Sequence, residues 1–88
     1  MTRVRVRVRG RVQGVFFRAQ ARQRAESLGV AGWIRNAGDG SVEAVFEGAD
    51  EQVDSLVEWC RRGPAGARVD EVEAVREEPA GEVGFQAR

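Results

Sequence analysis

The hydrophobic patterning of this 88-residue chain predicts an α+β fold, with two helices on one face of a mainly antiparallel sheet of four or five strands. Three observations carry that prediction. Residues 2–9 alternate arginine and valine with a period of two. Two later segments space apolar residues at helical intervals. The periodic segments also follow one another as β-α-β and again β-α-β, with a short last strand expected around Phe85.

Each element has its own reason. Arg3, Arg5, Arg7 and Arg9 interleave with Val4, Val6 and Val8, the pattern of a strand buried on one face. Gly10, Arg11, Val12, Gln13 and Gly14 break it and read as a loop. Residues 16–28 favour a helix, with Phe17, Ala21, Ala25 and Leu28 along one stripe and Gly29 placed as a left-handed cap. Residues 30–36 form the second strand. Asp39 and Gly40 are a hairpin-turn signal, and residues 41–47 form the third strand. Asp50 is expected to cap a second helix, whose stripe is Val53, Leu56, Val57 and Cys60. Arg61 and Arg62 complement that helix's negative end, and Gly63 and Pro64 stop it. Residues 69–76 complete the pattern as a fourth strand.

The order βαββαβ is that of a ferredoxin-like two-layer sandwich. In that topology the first and second strands run parallel to each other, with the third between them. Their C-terminal ends share one end of the sheet, so the loop at 10–15 and Asn36 are expected to be neighbours.

Composition narrows the chemistry. The length suits one domain over residues 1–88. No apolar run approaches the roughly 18 residues that span a bilayer, so no membrane partner is expected. No leader is visible at the start, and the single cysteine, Cys60, fits a reducing cytoplasm. With no histidine, phosphohistidine chemistry, Ser-His-Asp triads and imidazole metal sites are excluded. All fourteen basic residues are arginine, which removes Schiff-base and Walker-type lysines. Gly66 stands where a cysteine-phosphatase loop starting at Cys60 needs arginine. The chain's neutrality hides an asymmetry. Residues 1–36 carry nine arginines against one acid, Glu26, a net of +8, and residues 37–88 carry five arginines against thirteen acids, a net of −8. A positive N-terminal half invites an anionic partner.

A strand-to-helix loop rich in glycine presents unpaired N–H groups beside a positive helix terminus, an anion cradle. Arg18, in the first helical turn, adds a planar fork suited to two phosphate oxygens while opposing the helix dipole, a placement that an anion would justify. A plain βα connection with a solvent-facing arginine has the same local sequence. Asn36 ends the second strand beside the turn. It fits turn chemistry as well as the positioning of a water against phosphorus.

These residues carry a close family resemblance over essentially the whole chain. Gly10, Val12, Gln13, Gly14, Val15, Phe17 and Arg18 match the acylphosphatase signature G-x-V-Q-G-V-x-F-R. Gly32, Trp33, Ile34, Asn36, Asp39, Gly40, Val42 and Glu43 resemble that family's second signature. The stretch 62–69 is also familiar from bacterial members. The resemblance implies metal-independent hydrolysis of acyl phosphates to carboxylate and inorganic phosphate, without a cofactor. It assigns phosphate binding to Arg18 and the loop N–H groups of Arg11, Val12, Gln13, Gly14 and Val15, and it assigns water orientation to Asn36. Inorganic phosphate is expected as product and inhibitor, and the chain as a monomer. Two departures are visible: Ala37 stands where some members have a hydroxyl residue, and Ala87 where a branched one is common.

Two other readings compete. RNA-recognition domains share the fold but display aromatics on the open sheet face. Here that face offers Arg3, Arg5 and Arg7 between Glu43, Val45 and Glu47 on one side and Glu71 and Glu73 on the other, a salt lattice rather than a nucleic-acid platform. Acylphosphatase-like domains also occur inside larger carbamoyl-transferring proteins, which leaves a non-catalytic accessory module as the alternative. Trp33 and Trp59 are expected at the core or its edge, and Cys60 as a small buried apolar residue.

Overall fold

Seven elements build the fold, β1 (Thr2–Arg11), α1 (Phe17–Leu28), β2 (Ala31–Asn36), β3 (Val42–Gly48), α2 (Asp50–Arg62), β4 (Arg68–Glu77) and β5 (Phe85–Ala87). The structure, a computed structural model, describes residues Met1–Arg88. The sheet order is β4-β1-β3-β2-β5, antiparallel except for the β2–β5 pair, and both helices pack on one face. This is the expected ferredoxin-like arrangement with the fifth strand added at the edge beside β2. Phe85 anchors that strand by stacking on Phe46, with ring centroids 6.0 Å apart.

The core lies between sheet and helices. Val4, Val6 and Val8 of β1 and Val42, Ala44 and Phe46 of β3 meet Phe17, Ala21 and Ala25 of α1 and Val53, Leu56, Val57 and Cys60 of α2. Phe17 and Trp59 join the helices, with centroids 5.2 Å apart and planes inclined by 59°. Burial pushes the Cys60 thiol up to about 12, so it packs as an apolar group.

Several boundaries differ from the sequence reading for identifiable reasons. Gly10 and Arg11 continue β1 instead of opening the loop, because a bulge between Arg9 and Gly10 keeps them paired with Val69 and Arg68. Phe16 precedes α1 in a left-handed conformation, and Gly29 caps the other end as expected. Ala49, not Asp50, is the α2 cap residue. Asp50 is the first helical residue, and its carboxylate accepts a hydrogen bond from the Thr2 hydroxyl. Trp33 lies half-buried on the outer face, outside the core, with the guanidinium groups of Arg5 and Arg88 at 5.6 and 4.9 Å from its ring centroid.

The outer face carries the anticipated lattice, more deeply covered and with more partners than the pattern indicated. Arg3 bonds Glu47 at 2.9 Å, Glu77 at 3.1 Å and Glu82 at 2.9 Å. Arg5 reaches Glu43 and Glu77, Arg7 reaches Glu43 and Asp39, and Arg9 reaches Asp39, Glu71 and Glu73. The loop after β4 folds over Glu47, whose carboxylate accepts the N–H groups of Ala80, Gly81 and Glu82 at 3.0, 2.8 and 3.2 Å. The Ala80 N–H, then Arg3 and the N–H groups of Gly81 and Glu82, hold the Glu47 carboxyl down to about 2 against the opposing effect of burial.

The native Glu47 carboxyl therefore binds its proton less readily than the unfolded one. Its stabilisation is complete above the ordinary value of 4.5 and disappears as pH falls through about 2. Glu47→Gln is predicted to flatten the fall in stability across that window and to cost about 1–3 kcal/mol at pH 7, since Arg3 keeps two other carboxylates. Urea melts at a series of pH values check this. An unchanged pH slope would contradict it.

Candidate active site

The site begins where β1 leaves the sheet. At Gly10, φ is +133° and a Cβ would lie 2.1 Å from the Arg68 carbonyl oxygen, so only glycine lets the β4 backbone approach there. The bulge at this point feeds the chain into residues 12–16. Within that loop Gly14 has φ +72° and Phe16 has φ +62°, both left-handed. Phe16 lacks glycine's freedom and is 78% exposed, so about 1–2 kcal/mol of backbone strain is held there without compensating core burial.

That conformation leaves donors free. None of the N–H groups of Gln13, Gly14, Val15 or Phe16 donates to a protein acceptor. The first turn of α1 carries no acid, whereas the first turn of α2 carries Asp50 and Glu51. The positive end of α1 is thus unneutralised, and Arg18 adds a full charge to it. The Arg18 guanidinium is steadied through Nη1, which donates to the main-chain oxygen of Arg88.

Asn36 reaches the same place from the end of β2, because β1 and β2 are both antiparallel to β3. Its Oδ1 is buried and has no hydrogen-bond partner within the protein. Gln13 ties the two segments together: its Nε2 donates to the carbonyl oxygens of Ala37 and Ser41, each at 2.9 Å. The turn is braced in its own right by Asp39, whose Oδ1 accepts the Ser41 N–H at 3.0 Å and the Ser41 hydroxyl at 2.5 Å. The Ser41 hydroxyl and N–H, helped by Arg9 and Arg7, hold the Asp39 carboxyl well below its ordinary value.

Val12, Gly14, Arg18 and Asn36 line one cavity of about 730 Å³. The other expected site residues are placed differently. Arg11 is paired within the sheet with an exposed side chain, and the Gln13 side chain braces the turn. The Val15 side chain packs against the core. Arg22, Gln23 and Glu26 line the cavity without having been singled out. They follow Arg18 by four, five and eight positions on the helix, a spacing that could have flagged them. Ala87 of β5, the strained Phe16, Phe17 and Ala19 complete the wall. The arrangement can bind a tetrahedral oxyanion through backbone N–H groups and a guanidinium, and place a polar group against it.

Fold and site define a small α+β protein in which unpaired backbone N–H groups, a guanidinium and an amide oxygen meet at one cavity. The acylphosphatase family model matches residues 4–87, and the chain belongs to that family, whose curated members are hydrolases. An acylphosphatase of Rubrobacter xylanophilus is 64% identical over 88 residues, covering 98% of this chain and 79% of the relative. The acylphosphatase structure from Coxiella burnetii superposes with a TM-score of 0.94 at 38% identity, covering 99% of this chain and 92% of that one. The Bacillus subtilis acylphosphatase structure gives 0.95 at 32% identity, covering 100% and 99%.

If Gln13 holds the cradle against the turn, Gln13→Ala lowers stability by about 1–2 kcal/mol through two lost hydrogen bonds. It also weakens inorganic phosphate binding by roughly tenfold, because the donors lose their common aim. Calorimetric titration with phosphate beside a urea melt reads both. Destabilisation with unchanged phosphate affinity would count against the bracing role.

Proposed function

We propose that this chain hydrolyses the carboxyl–phosphate bond of small acyl phosphates, with Arg18 and the loop N–H groups holding the phosphoryl group and Asn36 orienting the attacking water. The observation that carries this reading is the convergence, in one cavity, of unpaired N–H groups, a fixed guanidinium and a buried amide oxygen without a protein partner. The amide oxygen is suited to accept a hydrogen from water, which turns a water lone pair toward the phosphorus. In the step, the water oxygen bonds to phosphorus, and the bond from phosphorus to the carboxylate oxygen breaks. The carboxylate leaves with the electron pair, and the water's proton passes to a phosphoryl oxygen.

No imidazole, thiolate or lysine is needed, since a carboxylate leaves without a general acid and the phosphoryl oxygen serves as internal base. Arg18 and the loop N–H groups stabilise charge building on the equatorial oxygens, the preorganised electrostatic contribution that dominates phosphoryl transfer. They supply the positive charge that a cation would otherwise bring, and the proposal accordingly requires no metal. The loop donors best suited to the task are those of Val12 to Phe16. Arg11, whose backbone belongs to β1, stands at the margin of the set. Inorganic phosphate would occupy the same cradle and inhibit competitively.

Release of benzoate from benzoyl phosphate tests the proposal. The wild type is predicted to be active in EDTA, and Arg18→Gln to lose on the order of 10²–10³ in turnover. Asn36→Ala is predicted to lower kcat while leaving phosphate inhibition nearly unchanged, because water placement acts in the transition state. A well-folded wild type that binds phosphate without hydrolysing benzoyl phosphate would establish the accessory-module reading instead.

A further inference from the structure

The cavity continues beyond the cradle along α1, where Arg22, Gln23 and Glu26 line it with Arg18. Its volume of about 730 Å³ falls among sites that take whole small molecules, about 300–1,000 Å³, and exceeds the needs of a phosphoryl group alone. Building on the hydrolase reading above, we propose that the enzyme selects acyl phosphates whose acyl group carries a second carboxylate, which Arg22 binds while Arg18 holds the phosphate.

Helix geometry sets the match. Arg18 and Arg22 lie four residues apart on one face of α1, about 6 Å along the axis. The distance from phosphorus to the far carboxyl carbon of an extended four-carbon acyl phosphate is also about 6 Å. An arginine fork accepts a carboxylate through two parallel hydrogen bonds, as it accepts a phosphate.

Arg22 is also available. It pairs with Glu26 at 3.4 Å, with both side chains more than half exposed at 53% and 56%. Such an exposed pair is weak and exchanges readily for a substrate carboxylate that reaches Arg22 in the same cavity. Glu26 shows that a carboxylate can sit against this guanidinium, and the substrate's acid would take its place. Gln23 offers a neutral amide beside it, while Phe16 and Ala87 supply apolar wall for the connecting carbons.

The test compares 3-carboxybenzoyl phosphate with benzoyl phosphate, since the ring keeps the two acid groups from closing to an anhydride. For the wild type, kcat/KM is expected to favour the carboxylated substrate by roughly tenfold, mainly through KM. In Arg22→Gln the ratio falls to about one, and Arg22→Lys restores part of it. Glu26→Gln, which removes the competing carboxylate, raises the ratio above that of the wild type. Both positions are surface-exposed, and urea melts establish that the variants fold. A wild-type ratio near one, or a preference that survives in Arg22→Gln, overturns the proposal. If the wild type hydrolyses neither compound, the hydrolase reading fails and this inference falls with it.

Discussion

The site depends on the placement of β3 between β1 and β2. Because β3 is antiparallel to both, β1 and β2 leave the sheet at the same end, and the segments that follow them are forced together. The loop after β1 supplies backbone donors and the start of α1, and the end of β2 supplies Asn36. Gln13 then converts proximity into a set geometry by donating to the two carbonyl groups of the turn after β2. The proposed anion site uses few side chains. The donors belong to the backbone, and their aim is set by left-handed residues at Gly14 and Phe16. The strain at Phe16 is consistent with a loop whose shape serves a ligand more than the stability of the free chain.

Charge is handled differently on the two sides of the sheet. The net +8 and −8 halves of the chain do not form separate patches, because β1 is inserted between β3 and β4, and its arginines meet acids on both sides. The most covered part of this lattice, Arg3 with Glu47, is enclosed by the loop after β4, so its carboxylate is satisfied by backbone N–H groups as well as by arginine. A buried charge without such partners would cost several kcal/mol. Near the cradle the pattern reverses. No Asp or Glu side chain pairs with Arg18, whose guanidinium donates to the main-chain oxygen of Arg88 at the edge of the site where an anion is expected.

Much of this was legible in the amino-acid sequence. The alternation of residues 2–9 and the stripes of both helices gave the correct faces, because period and burial are directly coupled. The proximity of residues 10–15 to Asn36 followed from strand order. Local chain direction was harder to read. The bulge at Gly10 and the left-handed Phe16 depend on how closely the β4 backbone approaches and how the loop enters α1, which residue pattern alone does not encode. Asp50 is not the cap because the helix starts one residue earlier than the pattern suggests, with extended Ala49 accepting the Val53 N–H, and the Asp50 carboxylate instead takes the Thr2 hydroxyl, 48 positions away. Trp33 was expected at the core or its edge because its strand alternates; it lies half-buried on the outer face, where its partners are arginines. The bracing role of Gln13 required the turn to be in place, and the far wall of the cavity required attention to the helical spacing after Arg18.

The central claim is that the phosphoryl group sits in the cradle with water aimed at phosphorus by Asn36. Hydrolysis of benzoyl phosphate in water enriched in ¹⁸O tests it directly, with the products resolved by mass spectrometry. The account predicts the label in inorganic phosphate and none in benzoate, because the bond broken is the one to phosphorus. Label in benzoate would mean that water attacks the acyl carbon, and the assigned roles of the cradle and Asn36 would be wrong.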